Sequence, residues 1–250
     1  VETEKYLKKG RTVLFSGTPC QIAGLNSFLR KTYDTLFTID IICHGVPSPK
    51  VWQKYIKYQE KVAGSKAKII SFRRKDGGWK QYSISIVFEN GKEYMQLYKR
   101  DLYMRAFLRN ICLRPSCYSC HFKTLNRESD ITMADFWGIQ NILPGMDDDK
   151  GTSLIFVNSE KGQKIFKEIK DKMTFYKVNI NEAVLYNSAA VKSVEYNPRR
   201  EIFFSELDDL LFDKLVNKYC ADPISVILKR NIKSMLKILL TKFELYKMRH

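Results

Sequence analysis

Two short apolar runs set what this chain can fold into. "RTVLFSGTPC" (residues 11–20) and "LFTIDIIC" (residues 36–43) each read as a buried strand, and each runs out at a cysteine. After the first, "QIAGLNSFLR" places Ile22, Leu25 and Leu29 at helical spacing. After the second, "HGVPSPKVW" is a loop and then a helix start, with Ser48 as N-cap and Pro49 at the first helical position. Val51, Trp52, Tyr55 and Ile56 give that helix an apolar face, and Gly64 ends it. A strand–helix–strand–helix order predicts parallel strands joined by a right-handed crossover. Ligands of such sheets gather at the C-terminal strand ends. Cys20 and Cys43 fall at or just past two such ends, so thiols 23 residues apart in sequence are expected to lie side by side.

The middle of the chain changes period. "KIISFRR", "YSISIVFE" and "KEYMQLY" are strand-like, with the hairpin signals "DGG" and "NG" between them, which predicts a small antiparallel meander over Ala67–Tyr98. Asp101 is placed to cap a short helix reaching Asn110. The loop "RPSCYSCHFK" follows, then the short strand "DITMA" and "DFWG". Beyond the acidic "GMDDDKG", the run "TSLIFVNSEKGQKIFKEI" reads as a strand, a Ser/Asn cap and an amphipathic helix with Ile165, Phe166 and Ile169 on one side. "TFYKV" reads as another strand, and from Glu182 the pattern is mainly helical, closing with a basic amphipathic helix in "SVILKRNIKSMLKILLTKFELYKMRH". The expected class is α/β (α+β): parallel strand–helix units, an inserted antiparallel meander and a helical C-terminus. Residues 1–210 are expected to form one domain and 211–250 a basic helical extension. The opening "VETEKYLKKG" reads as the tail of a helix entering a strand, as in a fragment lacking its N-terminal part.

With 44% hydrophobic and 28% charged residues, the chain has the composition of a globular protein. No stretch of about 18 uncharged apolar residues is present, so no transmembrane helix is expected, nor is a signal peptide visible, and a cytoplasmic location is the expectation. The formal charge of +16 draws anions of any kind. Nucleic acid is set aside as a partner, because zinc-finger spacing, an aromatic RNA-binding signature and a heptad-linked basic region are all missing from the sequence. Arg73, Arg74, Lys75, Lys80, Lys99 and Arg100 flank the meander. A solvated face is the plainer reading; a landing site for an anionic cofactor tail or an acidic electron-transfer partner is the functional one. The C-terminal basic helix likewise packs its apolar stripe on the domain or touches a membrane surface.

Cys117 and Cys120, in C-x-x-C spacing, put two thiols on one loop, with Arg114, His121 and Lys123 supplying positive charge or polarity nearby. A metal centre needs two further ligands. Cys20 and Cys43 are the best candidates and Cys112 the reserve, while Cys220 reads as a buried thiol. Spacing alone suits zinc and an iron–sulfur cluster equally. A thioredoxin-like pair fits less well, since no helix clearly begins at Cys117. The Gly17-Thr18-Pro19 turn, with Gln21 after it, is either a plain strand-to-helix turn or a phosphate or flavin cradle. No GxGxxG and no Walker A sequence is present. Around "SDITMADFWG", Asp130, Thr132, Asp135, Trp137 and Gly138 are candidates to contact an isoalloxazine ring or ribityl chain, or equally a buried aromatic with a capping acid. His44 is a candidate donor beside a cofactor, although a polar loop residue is the simpler reading.

"FSGTPCQIAGL", "DIICHGVPSPKVW" and "RPSCYSCHFK...SDITMADFWG", in this order and spacing, resemble the beta-subunit family of coenzyme F(420) hydrogenases and dehydrogenases, most closely its bacterial branch found near polysaccharide-synthesis genes. The resemblance runs from Lys8 to Asp209. It implies an iron–sulfur flavoprotein with FAD and a 4Fe-4S cluster held by Cys20, Cys43, Cys117 and Cys120, which resolves the zinc question toward a cluster and leaves Cys112 outside the shared motif. It implies hydride exchange through FAD, coenzyme F(420) as the partner of archaeal members, and a ferredoxin-like electron donor or an N-terminal ferredoxin part. The ferredoxin-like repeats and the Ser-Gly-Gly segment usual in bacterial members are not in this sequence. The competing expectation is a non-catalytic iron–sulfur or zinc-binding module in a surface-polysaccharide pathway.

Overall fold

In the computed structural model, which describes residues 2–221, the apolar runs pair as expected. The element order is α1 (Glu2–Lys8), β1 (Val13–Gly17), α2 (Pro19–Leu29), β2 (Leu36–Ile41), α3 (Pro49–Ala63), β3 (Ala67–Arg74), β4 (Ser83–Phe88), β5 (Glu93–Leu97), α4 (Leu102–Leu108), β6 (Ile131–Asp135), α5 (Ile139–Ile142), β7 (Ser153–Val157), α6 (Glu160–Ile169), α7 (Ile180–Leu185), α8 (Arg200–Ser205) and α9 (Phe212–Tyr219). One sheet has the order β1-β2-β6-β7, the other β3-β4-β5. β1, β2 and β6 are parallel, with Gly17 opposite Asp40 and Ile41 opposite Met133, and β7 closes the edge antiparallel to β6. The class is therefore mixed α/β with a small antiparallel sheet, and the meander lies between α3 and α4 as its turn signals predict.

Alternation along the strands divides the four-stranded sheet into two faces. On one, Val13, Phe15 and Leu36 pack against Leu25 and Leu29 of α2 and Leu7 of α1. On the other, α6 comes down over β6: a Cβ on Gly162 would sit 3.3 Å from Ile131 and 2.2 Å from the Asp130 carbonyl oxygen, so glycine is what lets the helix approach. Leu14, Ile41 and Met133 on that face stay exposed. The main core joins the meander to helices: Ile84 and Ile86 of β4 pack with Val51 and Tyr55 of α3, Phe203 of α8 and Phe212, Leu215 and Val216 of α9. The chain is thus part of this core as far as Cys220. The expected basic helix in the C-terminal segment lies outside the described residues. Among the described residues, no helix is long and apolar enough to cross a membrane.

One local expectation is corrected. "TFYKV" forms no strand. Phe175 packs edge-on against Phe166 at 5.2 Å, and Val178 packs against the cluster of Trp79, Phe136, Ile139 and Leu154. The segment also shares the lining of a large cavity with β7, which keeps it off the strand's free edge. The stretch after Glu182 carries helices as expected, in α7, α8 and α9, while residues 191–199 between them hold no helix and make side-chain contacts to the cysteine loop and the end of α4.

Candidate cysteine centre and adjoining cavity

The centre is built by the two strand ends and the loop between α4 and β6. β1 ends at Gly17 and Thr18 caps α2, which puts Pro19 and Cys20 in the helix's first turn. Gln21 closes that end by accepting from the Thr18 N–H at 2.8 Å, and the Thr18 hydroxyl lies 3.1 Å from Cys20 Sγ. A Cβ on Gly17 would meet Gln21 at 3.0 Å, so the turn is tight. β2 ends at Ile41, and Cys43 follows two residues on. The third segment is carried by α4. Asp101 caps it, Asn110 turns the chain at φ 58°, and Ile111, Cys112 and Leu113 are fully buried below the loop. Pro47 bridges to Leu113, and the Val46 and Arg114 backbones are bonded at 2.9 Å. A short 3-10 turn, Pro115–Cys117, then presents the C-x-x-C pair.

These folds bring the four motif thiols to one pocket: Cys20, Cys43, Cys117 and Cys120 line it together with Thr18, Pro19, His44, Val46, Phe122, Lys123 and Arg127. All four are free thiols. Burial pushes the Cys43 thiol up, Lys123 pulls it down, and the other three cysteines push it up again, so its field contains all of them. The Val46 N–H donates to Cys117 Sγ at 3.3 Å, the hydrogen bond that steadies a thiolate. Lys123 Nζ donates to the Cys43 carbonyl, and burial lowers its pKa while the cysteines raise it. Among the described residues, no three His, Cys, Asp or Glu side chains group tightly enough for a single metal ion. The thiols surround a pocket instead.

His44 reaches the same pocket but its ring is tied back, 2.8 Å from Asn110 Oδ1 and 4.9 Å from the Phe107 ring, with its pKa lowered by burial. Of the other sequence candidates, Thr18 and Pro19 line the pocket, whereas the "SDITMADFWG" residues stand elsewhere. Asp130 accepts from the Thr38 N–H at 2.8 Å, from the Thr38 hydroxyl at 3.0 Å and from the Ser159 hydroxyl at 2.5 Å, locking β2 to β6 and α6. Thr132 accepts from Asn158 at 3.0 Å. Asp135 pairs with Arg73 and accepts from the Trp79 indole, while Trp137 stacks on Trp79 at 4.7 Å. Gly138 adopts φ 83°, with the Tyr186 ring where a Cβ would go. This stretch docks the meander to the sheet. Cys112 and Cys220 lie in the main core, with burial pushing their thiols up to about 12 and about 11.

Three features escape a reading of the sequence. Arg127 lines the cysteine pocket with its side chain almost wholly buried, 3.7 Å from the Asp40 carboxylate, and the basic pair Lys123/Arg127 after the C-x-x-C is the available signal. Residues 188–200 strap the cysteine loop: Ser193 accepts from the Cys120 N–H at 3.0 Å, Asn197 donates to the Arg109 carbonyl and Arg200 to the Leu113 carbonyl. Finally, a cavity of about 1140 Å³ opens beside β7, lined by Met133, Phe156, Phe166, Phe175, Tyr176, Asn158 and Gln163 among others. Arg127 lines this cavity as well as the cysteine pocket.

The model of a family described as the C terminus of the beta subunit of coenzyme F420 hydrogenase/dehydrogenase matches residues 10–183. No curated protein matches the chain. Among solved structures, the xenon-derivatised F420-reducing NiFe hydrogenase complex from Methanosarcina barkeri is similar at 16% identity and TM-score 0.39, over 86% of this chain and 65% of that one.

Proposed function

The chain belongs to the coenzyme F420 hydrogenase/dehydrogenase beta-subunit family, and on that premise we propose that it is an oxidoreductase domain whose four motif cysteines hold a 4Fe-4S cluster beside a pocket for an organic hydride carrier. One observation carries this reading: Cys20, Cys43, Cys117 and Cys120, from three segments far apart in sequence, line a single pocket together with the cations Lys123 and Arg127. The donor set fits the group. A four-iron cluster takes one thiolate per iron, so its ligands surround a body, as these thiols surround a pocket. Its thiolates gain from nearby N–H groups and positive charge, here the Val46 N–H, Lys123 and Arg127. Phe122 and Val46 add apolar wall against water.

When bound, the cluster supplies one-electron storage and FAD supplies hydride exchange. The chain's own residues bind and orient. The large cavity is the space we assign to FAD or to its small-molecule substrate, because aromatic and methionine side chains with a few amides suit a planar ring system. Coenzyme F(420) is the substrate we propose by kinship. A ferredoxin-like one-electron donor is the partner we propose. The test is anaerobic purification of the full-length protein with iron, sulfide, zinc and flavin analysis. We expect a brown protein with about four irons per chain and flavin released by heat, and Cys117→Ser should abolish the iron. A colourless protein with about one zinc would overturn the reading.

A further inference from the structure

Arg127 is set between the two compartments, and its surroundings are unusual for a structural ion pair. It lies on the loop between Cys120 and β6, and its side chain is 2% exposed, facing Asp40 at 1%. Asp40 stands on β2 three residues before Cys43, opposite Thr132 in the sheet. The two charges are 3.7 Å apart at their nearest atoms. Arg127 also donates to the Ala190 carbonyl at 3.2 Å, which anchors it to the strap. Yet its Nε and the Oδ1 of Asp40 have no hydrogen-bond partner among the described residues. A buried pair kept for stability makes close, fully bonded contacts, since taking both charges out of water is costly. This pair is loose and half-satisfied, and Arg127 lines both the cysteine pocket and the large cavity.

We propose that Arg127 is a positioning residue that sets how readily the cysteine centre takes an electron, with Asp40 as the opposing charge that limits its pull. The inference rests on the cluster reading above. One-electron reduction, with the electron drawn from a low-potential donor, adds one negative charge to the centre and breaks no bond. A fixed buried cation favours the reduced form, and a fixed buried carboxylate disfavours it. The low-dielectric surroundings and the absence of solvent screening at 2% and 1% exposure keep both effects strong.

The experiment is an anaerobic dithionite titration of the holoprotein, followed by electron paramagnetic resonance, with iron content measured on every sample. Arg127→Gln should lower the one-electron reduction equilibrium at least about tenfold, which is about 59 mV for one electron. Asp40→Asn should raise it, and Arg127→Lys should stay near wild type. A purely structural role would move iron content and thermal stability without opposite shifts of the two potentials. Shifts of the same sign, or potentials unchanged with iron intact, overturn the proposal. If Arg127→Gln fails to retain iron, Asp40→Asn decides: no upward shift overturns it. A wild-type protein without iron sinks the cluster reading itself, whereas a brown wild type with unshifted variants sinks the role of Arg127 alone.

Discussion

Removing the Asp101 carboxylate is expected to be one of the most damaging single changes in this chain. The residue is fully buried. Its Oδ2 accepts from Tyr55 at 2.6 Å and Tyr94 at 2.9 Å, and its Oδ1 accepts from the Met104 N–H at 2.8 Å as the cap of α4. Asp101→Ala loses the cap, about 1 kcal/mol, and strands two tyrosine hydroxyls, about 1–3 kcal/mol each. The total is about 3–7 kcal/mol, a drop in melting temperature of roughly 6–28 °C for a chain of this size. Asp101→Asn keeps an acceptor for Met104 and should cost less. Burial raises the pKa of Asp101 above 3.8, with Tyr55, Met104 and Tyr94 among the donors opposing it. A carboxyl with a raised folded-state pKa contributes stability that is present below its unfolded value and lost as pH rises through the folded one. The advantage of wild type over Asp101→Asn should therefore shrink as pH rises from about 3.8. Thermal unfolding followed by circular dichroism across pH measures both effects. A cost for Asp101→Ala below about 1 kcal/mol, or an advantage that grows with pH, refutes the reasoning.

Gly162→Ala should push α6 off the sheet, because the new Cβ would overlap the Asp130 carbonyl; we expect about 1–3 kcal/mol of destabilisation by denaturant titration. Cys112→Ser places a hydroxyl in the main core and should cost about 1–3 kcal/mol while leaving iron content unchanged; iron loss without unfolding would make Cys112 a ligand.

Where the sequence speaks through local chemistry, it is legible. The αL glycine ending α3, the Asp101 cap and the glycine turns of the meander are each dictated by residues within a few positions. The approach of Cys20 and Cys43 is also readable, since parallel strands leave their C-terminal ends side by side. "TFYKV" misleads because strand propensity does not say whether a neighbouring edge is free to pair, and here Phe166 and the cavity intervene. "ADFWG" is ambiguous for a different reason: an acid and an aromatic at a strand end look alike whatever they meet, and here Asp135 and Trp137 meet Arg73 and Trp79 of the inserted meander. Arg127 escapes notice because its meaning comes from Asp40, 87 residues earlier.

The spacing of the four thiols has a consequence for how the protein matures. Cys117 lies 74 positions after Cys43, and the stretch between them contains α3, the entire meander and α4. Any centre spanning the four thiols closes that loop as a staple does, and withdraws its freedom from the unfolded chain. During synthesis, segments emerge in order and fold as they can. The strand ends bearing Cys20 and Cys43 must wait for the meander to collapse on α3 before Cys117 and Cys120 arrive, and for residues 188–200 before the loop is strapped down. On the cluster reading proposed above, insertion of the centre is thereby a late event, and a chain stalled before the strap would present its thiols unguarded.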